Sequence, residues 1–195
     1  MLAAVILSGG ASSRMGSPKA LLAYQGRPFL EHLLEVAAHR QIGVRRVVLG
    51  ADAEPIAKAI NLKADEIVIN AEWEKGQLTS VQAAIRSLPP GTDGILLCLI
   101  DHPLISATLI QELVEQFYKS GKPIVLPVYE GRRGHPLVFA ASLYDELLRA
   151  PLETGARAVV WAHSREVEEV QTSEEGCILN LNDPETMHKA FGGAD

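Results

Sequence analysis

The chain opens Leu2-Ala3-Ala4-Val5-Ile6-Leu7-Ser8-Gly9-Gly10-Ala11-Ser12-Ser13-Arg14-Met15-Gly16-Ser17-Pro18-Lys19. Six apolar residues, Leu2–Leu7, run directly into a basic, glycine-rich loop. A continuous apolar run of that length suits a strand buried on both faces, as in a parallel sheet covered by helices. The pattern recurs downstream. Arg46–Gly50, Glu66–Ile69, Gly94–Ile100 and Ile124–Pro127 read as further strands. Pro28–Arg40 sets Phe29, Leu33, Leu34 and Ala37 along one helical stripe. Ala53–Ile60, Thr79–Leu88 and Ser106–Ser120 behave alike, with Ser106 a suitable N-cap. Alternation of strand and helix predicts βαβ units with right-handed crossovers. The expected fold is α/β: a three-layer α/β/α sandwich around a Rossmann-like, mostly parallel sheet.

After residue 128 the rhythm changes. Tyr129–Pro136 is turn-rich and precedes a short apolar stretch, Leu137–Phe139, so at least one antiparallel strand is expected. Ser142–Leu148 and Gly155–His163 read as short helices, Glu166–Gln171 and Cys177–Leu181 as strand-like pieces, and Asp183–Phe191 as a closing helix. No linker, repeat or low-complexity tract interrupts residues 1–195, and a single domain is expected.

Composition narrows the function. The chain has 195 residues, 47% of them hydrophobic and 22% charged, which are globular values. The formal net charge is −6, yet residues 1–50 carry net +4 and the remainder −10. An acidic chain is a poor candidate for nonspecific nucleic-acid binding, whereas a basic opening segment suits a small anion. Two cysteines, Cys98 and Cys177, are too few for a disulfide framework or a Cys-rich zinc site. Cys98 lies in an apolar run and reads as a core thiol. No apolar run reaches the roughly 20 residues of a membrane span. The start has no basic n-region, so neither membrane nor export is expected, and the expected compartment is the cytoplasm.

In an open α/β sheet, ligands bind beyond the carboxyl ends of the strands. That rule selects the first loop and Asp101-His102-Pro103 after the strand ending at Ile100. Glycines let backbone N–H groups turn toward an anion, and Arg14 and Lys19 add fixed positive charge. The loop is neither a Walker sequence nor a dinucleotide fingerprint, and it also reads as a plain turn with two exposed cations. Asp101 is either a turn residue or an oxygen ligand for Mg2+, which takes one or two protein oxygens and fills its shell from phosphate and water. Asn180 offers a second oxygen. Gly131-Arg132-Arg133-Gly134-His135-Pro136 is either an anion-binding flap or a solvated hairpin tip. His32, His39, His163 and His188 have no metal-ligand spacing, and no nucleophile elbow occurs.

Together these segments resemble one family. Leu7 to Lys19 is similar to the signature L-A-[AG]-G-x-S-x-R-M-G-x-x-K of nucleotidyltransferases, and Leu99-Ile100-Asp101-His102-Pro103 to their metal-binding D-x-P segment. Gly131–Pro136, Gly76-Gln77-Leu78-Thr79-Ser80-Val81 and Asn180-Leu181-Asn182-Asp183-Pro184-Glu185 resemble segments of the molybdenum cofactor cytidylyltransferase branch of the MobA-like NTP transferase family. The resemblance spans nearly the whole chain in order. It implies transfer of a nucleoside monophosphate from an NTP, with CTP favoured, to the phosphate of molybdopterin cofactor, releasing pyrophosphate. A molybdoenzyme is a possible recipient of the product.

The resemblance also implies roles. Leu7, Ser8, Gly9, Gly10, Ser12, Arg14 and Lys19 would bind the nucleotide, joined by Ser80 and Gln82 near the nucleoside. Lys19, Arg14 and Asp101 would be catalytic, Asp101 and Asn180 would hold Mg2+, and His102, Arg133 and His135 would face the acceptor. Two departures bear on the base and the metal. Gly9-Gly10 is more typical of guanylyl transfer, and Asn180 stands where Asp is common. GTP as donor to the same acceptor is therefore an alternative, as is a carrier that binds the cofactor without transfer. A sugar phosphate or small alcohol phosphate as acceptor is disfavoured by the Gly131–Pro136 segment.

Overall fold

The computed structural model describes residues 1–10 and 16–191. β1 (Leu2–Ser8), the short strands β2 (Ala23–Tyr24) and β3 (Arg27–Pro28), and α1 (Phe29–Val36) lead into β4 (Ile42–Leu49) and α2 (Ala53–Ile60). β5 (Ile67–Ile69), α3 (Gln77–Arg86), β6 (Gly94–Leu99) and α4 (Ala107–Ser120) follow. Next come β7 (Ile124–Tyr129), β8 (Arg132–Arg133), β9 (Leu137–Ala140), α5 (Tyr144–Arg149), α6 (Arg157–Ala162), β10 (Val167–Gln171) and α7 (Pro184–Ala190).

The main sheet has the order β10-β7-β9-β6-β1-β4-β5, with β8 paired to β7. β1 runs parallel to both β4 and β6, β4 to β5, and β7 to β10. β9 is antiparallel to β6 and to β7 and lies between them. The fold is therefore α/β with a mostly parallel sheet; of its two antiparallel members, β9 sits near the centre and the short β8 flanks β7. β2 and β3 form a separate antiparallel ribbon.

Side-chain alternation divides the strands between two cores. Leu2, Ile6, Val47, Leu49, Leu96 and Cys98 face α1, α2 and α4, where they meet Leu33, Ile56 and Leu113. Val5, Leu7, Val48, Ile95, Leu97 and Phe139 face the other way, onto Val81 of α3, Leu147 of α5 and Val159 of α6. Two apolar faces on one sheet produce the three layers. The Cys98 thiol is fully buried, and burial pushes its pKa up to about 12. No helix among the described residues is long and apolar enough to cross a membrane.

Several boundaries move from the sequence expectations. α1 ends at Val36 rather than Arg40, because the Ala38 N–H bonds back to the Glu35 carbonyl at 3.0 Å, a three-residue closure that tightens the last turn. β4 begins at Ile42, on half-buried residues whose apolar alternation is weaker than that of Val47–Leu49. Ser106 caps α4 as expected, accepting from the Leu109 N–H at 3.1 Å. Asp183 caps α7 in the same way, at 2.8 Å from the Thr186 nitrogen.

One expected strand is absent. Cys177–Leu181 is a short 3-10 turn, Glu175–Cys177, followed by irregular chain. Its backbone groups serve loops instead of a ladder. The Cys177 carbonyl accepts from the His135 N–H at 2.8 Å, and the Leu181 N–H donates to the Asp101 carbonyl at 2.7 Å.

His163 ties α6 back to its neighbours, with Nδ1 2.7 Å from Glu166 Oε2 and Nε2 2.9 Å from Glu146 Oε2 on α5. Those two carboxylates, Glu166 first, raise its pKa above the ordinary 6.5. A raised folded-state value means the stabilisation is full below the unfolded pKa and is lost as pH rises through the folded one. His163→Ala is expected to lower the melting temperature at pH 5.5, with the difference shrinking by pH 9. A constant difference across that range would contradict the charge assignment.

Candidate active site

Parallel pairing brings the ends of β1, β4, β5 and β6 to one rim, and backbone bonds stitch the loops that leave it. The Ile100 N–H donates to the Leu7 carbonyl at 3.1 Å, the Ala51 N–H to the Gly9 carbonyl at 3.1 Å, and the Asn70 N–H to the Leu49 carbonyl at 2.8 Å. A cavity of about 200 Å³ opens there, lined by Leu7, Ser8, Gly9, Gly10, Lys19, Ser80 and Asp101, among others. Seven of the residues expected from the sequence thus share one wall. Ser12 and Arg14 lie outside the described residues.

The turn is packed too tightly for side chains behind it. A Cβ on Gly50 would lie 2.3 Å from the Gly9 carbonyl oxygen and 2.6 Å from Trp73. Gly50 therefore lets the first loop and the Trp73 turn meet.

Lys19 follows Pro18 in a short 3-10 turn, and its Nζ donates to Asn182 Oδ1. Asp101, half-buried, holds the same carboxyl-terminal segment through its carbonyl, which accepts from the Leu181 N–H. The two charged side chains are thus bracketed by one strip of chain. Asn180 on that strip is exposed, while Asn182 is half-buried and reaches Lys19. The sequence reading put Asn180 forward. No sequence signal separated Asn182 from Asn180, because the Asn182 N–H bonds back to the Asn180 carbonyl at 3.1 Å and this turn sends the two side chains to different surroundings.

Ser80 is oriented by a residue the sequence reading missed. Asn70, 5% exposed, donates through Nδ2 to Thr79 Oγ1 at 2.8 Å and Ser80 Oγ at 2.9 Å. Its Oδ1 accepts from the Glu72 N–H at 2.9 Å. Because Ser80 Oγ accepts from Asn70, its own proton remains to donate to a ligand. A lone polar residue at the carboxyl end of the strand Glu66–Ile69 was the signal. Gln82 is not brought to this cavity. Its Nε2 donates to the Leu147 and Leu148 carbonyls, each at 3.2 Å, joining α3 to α5.

A second cavity of about 360 Å³ adjoins the first, and Gln77 lines both. Arg133 and His135 face it, while Arg132 points elsewhere, as successive residues of a strand do. Glu169 holds the Arg133 guanidinium, with Oε1 2.8 Å from both Nε and Nη2. Its floor is apolar, including Leu126, Leu137 and Phe139, and Thr154 and Arg157 add polar groups the sequence reading did not single out.

His102 lines neither cavity. It packs against His135, ring centroids 5.2 Å apart, and both Nδ1 atoms are buried without a partner among the described residues. Burial, then the neighbouring His102, pushes His135 down to about 4, so its ring is neutral at pH 7. Burial also lowers His102, against the pull of Asp101. Fixed charge around the second cavity at neutral pH comes from arginines and Glu153, not from histidine.

The arrangement sets a glycine turn, a lysine and a carboxylate together at the carboxyl end of a parallel sheet, where α/β folds bind their ligands. Residues 4–167 match the MobA-like NTP transferase domain. Among similar proteins is the molybdenum cofactor guanylyltransferase of Rhizobium meliloti (strain 1021), 30% identical over 200 residues that cover 96% of this chain and 89% of that protein. Nicotine blue oxidoreductase of Paenarthrobacter nicotinovorans is 29% identical over 95% of this chain and 94% of its own. The chain spans only 24% of the bifunctional protein GlmU of Agrobacterium fabrum, to which it is 37% identical over 110 residues. Rv0371c of Mycobacterium tuberculosis has the same fold, with a TM-score of 0.78 at 25% identity and 97% of each chain covered. A manganese complex of that protein superposes with a TM-score of 0.71 at 23% identity, covering 99% of each chain.

The chain belongs to the MobA-like NTP transferase family, and it is a nucleotidyltransferase.

Asn70→Ala removes two buried hydrogen bonds and a half-buried one, which leaves the Glu72 N–H without its partner. It is expected to cost about 2 kcal/mol of stability and to weaken nucleotide binding, read by urea unfolding and by calorimetric titration. Unchanged affinity would show that Ser80 needs no orienting partner.

Proposed function

We propose that the protein, acting as a single domain, transfers a cytidylyl group from CTP to the phosphate of molybdopterin cofactor and releases pyrophosphate, with Mg2+ as the metal. The observation that carries this reading is the convergence of Ser8-Gly9-Gly10, Lys19 and Asp101 on one cavity, adjoining a second that Arg133 and His135 line. The apolar floor of that second cavity suits a pterin ring system, and its arginines suit an anion. The resemblance of Gly131–Pro136 to the cytidylyl branch supports CTP over GTP.

The donor set fits the metal. Asp101 offers a hard oxygen, and Asn180, next to the Leu181 whose N–H bonds to the Asp101 carbonyl, offers a second. No cluster of three or more His, Cys, Asp or Glu able to hold a metal exists among the described residues. An ion at Asp101 would draw its remaining ligands from phosphate and water, which is the habit of Mg2+. When bound, it supplies charge neutralisation across the phosphates.

The chain's own residues perform the rest. The turn Ser8–Gly10 presents backbone N–H groups to the triphosphate. Lys19, steadied by Asn182, places its ammonium against charge that grows on the α-phosphate and the departing pyrophosphate. The acceptor phosphate, oriented from the second cavity by Arg133, attacks the α-phosphorus in line as the bond to pyrophosphate breaks. No covalent enzyme intermediate is required, since positioning and electrostatics suffice.

A second donor, GTP on the same acceptor, is favoured by the Rhizobium meliloti guanylyltransferase relative. A relative of similar extent bears the name nicotine blue oxidoreductase, which denotes a different reaction, as one fold does host several chemistries. A phosphate-directed lysine and a metal-directed aspartate have their use in nucleotidyl transfer.

Two measurements test the reading. In a pyrophosphate-release assay with CTP, Mg2+ and molybdopterin cofactor, Asp101→Ala is expected to abolish turnover, and Lys19→Ala to lower kcat about 100- to 1000-fold with a smaller change in KM. Wild-type turnover in Asp101→Ala would refute the metal assignment, and absence of pyrophosphate from the wild type would leave a carrier. In thermal shift, a nucleotide at 100 times its Kd stabilises by about 2.7 kcal/mol. At equal concentrations CTP is expected to raise the melting temperature more than GTP, and the reverse order would assign guanylyl transfer.

A further inference from the structure

We propose that Trp73 is the platform on which the nucleobase of the bound nucleotide stacks. The inference rests on the nucleotide reading of the first cavity and adds the residue that receives the base. Trp73 is the one aromatic side chain among that cavity's lining residues. It makes no contact with another ring among the described residues, although Tyr24, Phe29, His102 and others do.

Its position along the rim is set by the sheet. In the order β6-β1-β4, Asp101 leaves β6, the glycine turn leaves β1, and Gly50, against which Trp73 packs, leaves β4. Adjacent strands lie about 4.8 Å apart, so the indole stands roughly 10 Å along the rim from the metal-directed aspartate. That offset is of the order separating the reacting phosphate of a nucleotide from its base.

The ring is also held in place before any ligand arrives. Gly50 gives its Cβ and Cγ room against the backbone. The turn that carries it is fastened at both ends: the Glu72 N–H bonds to Asn70 Oδ1, and Thr79 Oγ1 lies 3.1 Å from the Glu72 carbonyl and 2.8 Å from that of Gly76. A half-buried indole on a braced turn offers a large apolar face at little entropic cost on binding. Every base has a π-face, so the platform supplies affinity, and discrimination between bases falls to polar neighbours such as Ser80.

The chain has two tryptophans, and Trp161 on α6 is 62% exposed and outside the first cavity. Trp161→Phe therefore leaves Trp73 as the sole reporter in an otherwise intact protein. This variant is titrated with CTP, with GTP and with tripolyphosphate, each with Mg2+. Trp73 emission is followed while binding is measured independently by calorimetry. Both nucleotides are expected to quench the emission in step with occupancy, and tripolyphosphate to bind without quenching. Trp73→Ala is expected to raise the nucleotide Kd about tenfold or more, and Trp73→Phe to restore most of the affinity. Nucleotide binding by calorimetry with unchanged emission, or wild-type affinity in Trp73→Ala, would overturn the platform and leave the nucleotide reading standing. Absence of nucleotide binding altogether would overturn both.

Discussion

The parallel register of β1 with β6, from Ala3 opposite Ile95 to Leu7 opposite Leu99, is the constraint on which the site depends. Once those strands are aligned, the residues that follow them have no choice of neighbourhood. Ser8-Gly9-Gly10 leaves one strand and Ile100-Asp101 leaves the next, so a backbone anion cradle and a carboxylate arrive together. The bond from the Ile100 N–H to the Leu7 carbonyl, 3.1 Å, extends the pairing beyond the last ladder residues. The register is in turn held by burial: all the residues of β1 and β6 are buried, and both faces are covered. A one-residue slip would exchange the two apolar faces along the whole strand.

The antiparallel strand β9 gives the molecule its second compartment. By lying between β6 and β7 it separates the half of the sheet that carries the glycine turn from the half that carries β8 and β10. Its own side chains, Leu137 and Phe139, become the floor of the second cavity. The short strand β8 before it brings Arg133 to the edge, where Glu169 of β10 fixes the guanidinium. The two cavities thus come from one sheet in which β9 runs against both of its neighbours near the middle.

Much of this was legible in the sequence because the relevant signals are local. The apolar runs of β1 and β6, the glycine loop, Asp101 at a strand end and the hairpin return before Leu137 each announce themselves within ten residues. Placing β9 in the centre depends on long-range pairing, which composition does not record. The strand expected at Cys177–Leu181 fails for the same reason: Cys177 and Leu181 are buried, but the segment's carbonyl and N–H groups answer to His135 and Asp101. Gln82 had a readable warning. It lies two residues from Ser80 on α3, and residues at i and i+2 of a helix do not face the same side. Asn70, Asn182 and Trp73 lie in short connections whose side-chain directions follow from tertiary contacts. Ser12 and Arg14, also expected from the sequence, fall outside the described residues.

The central claim is that one polyphosphate and its divalent ion are held jointly by the amino-terminal turn and by Asp101. Anomalous diffraction from crystals soaked with CTP and Mn2+ tests it most directly. The account predicts a manganese peak beside the Asp101 carboxylate, with the phosphates lying between it and the Ser8–Gly10 turn. A manganese peak away from Asp101, or a triphosphate seated in the second cavity, would contradict it.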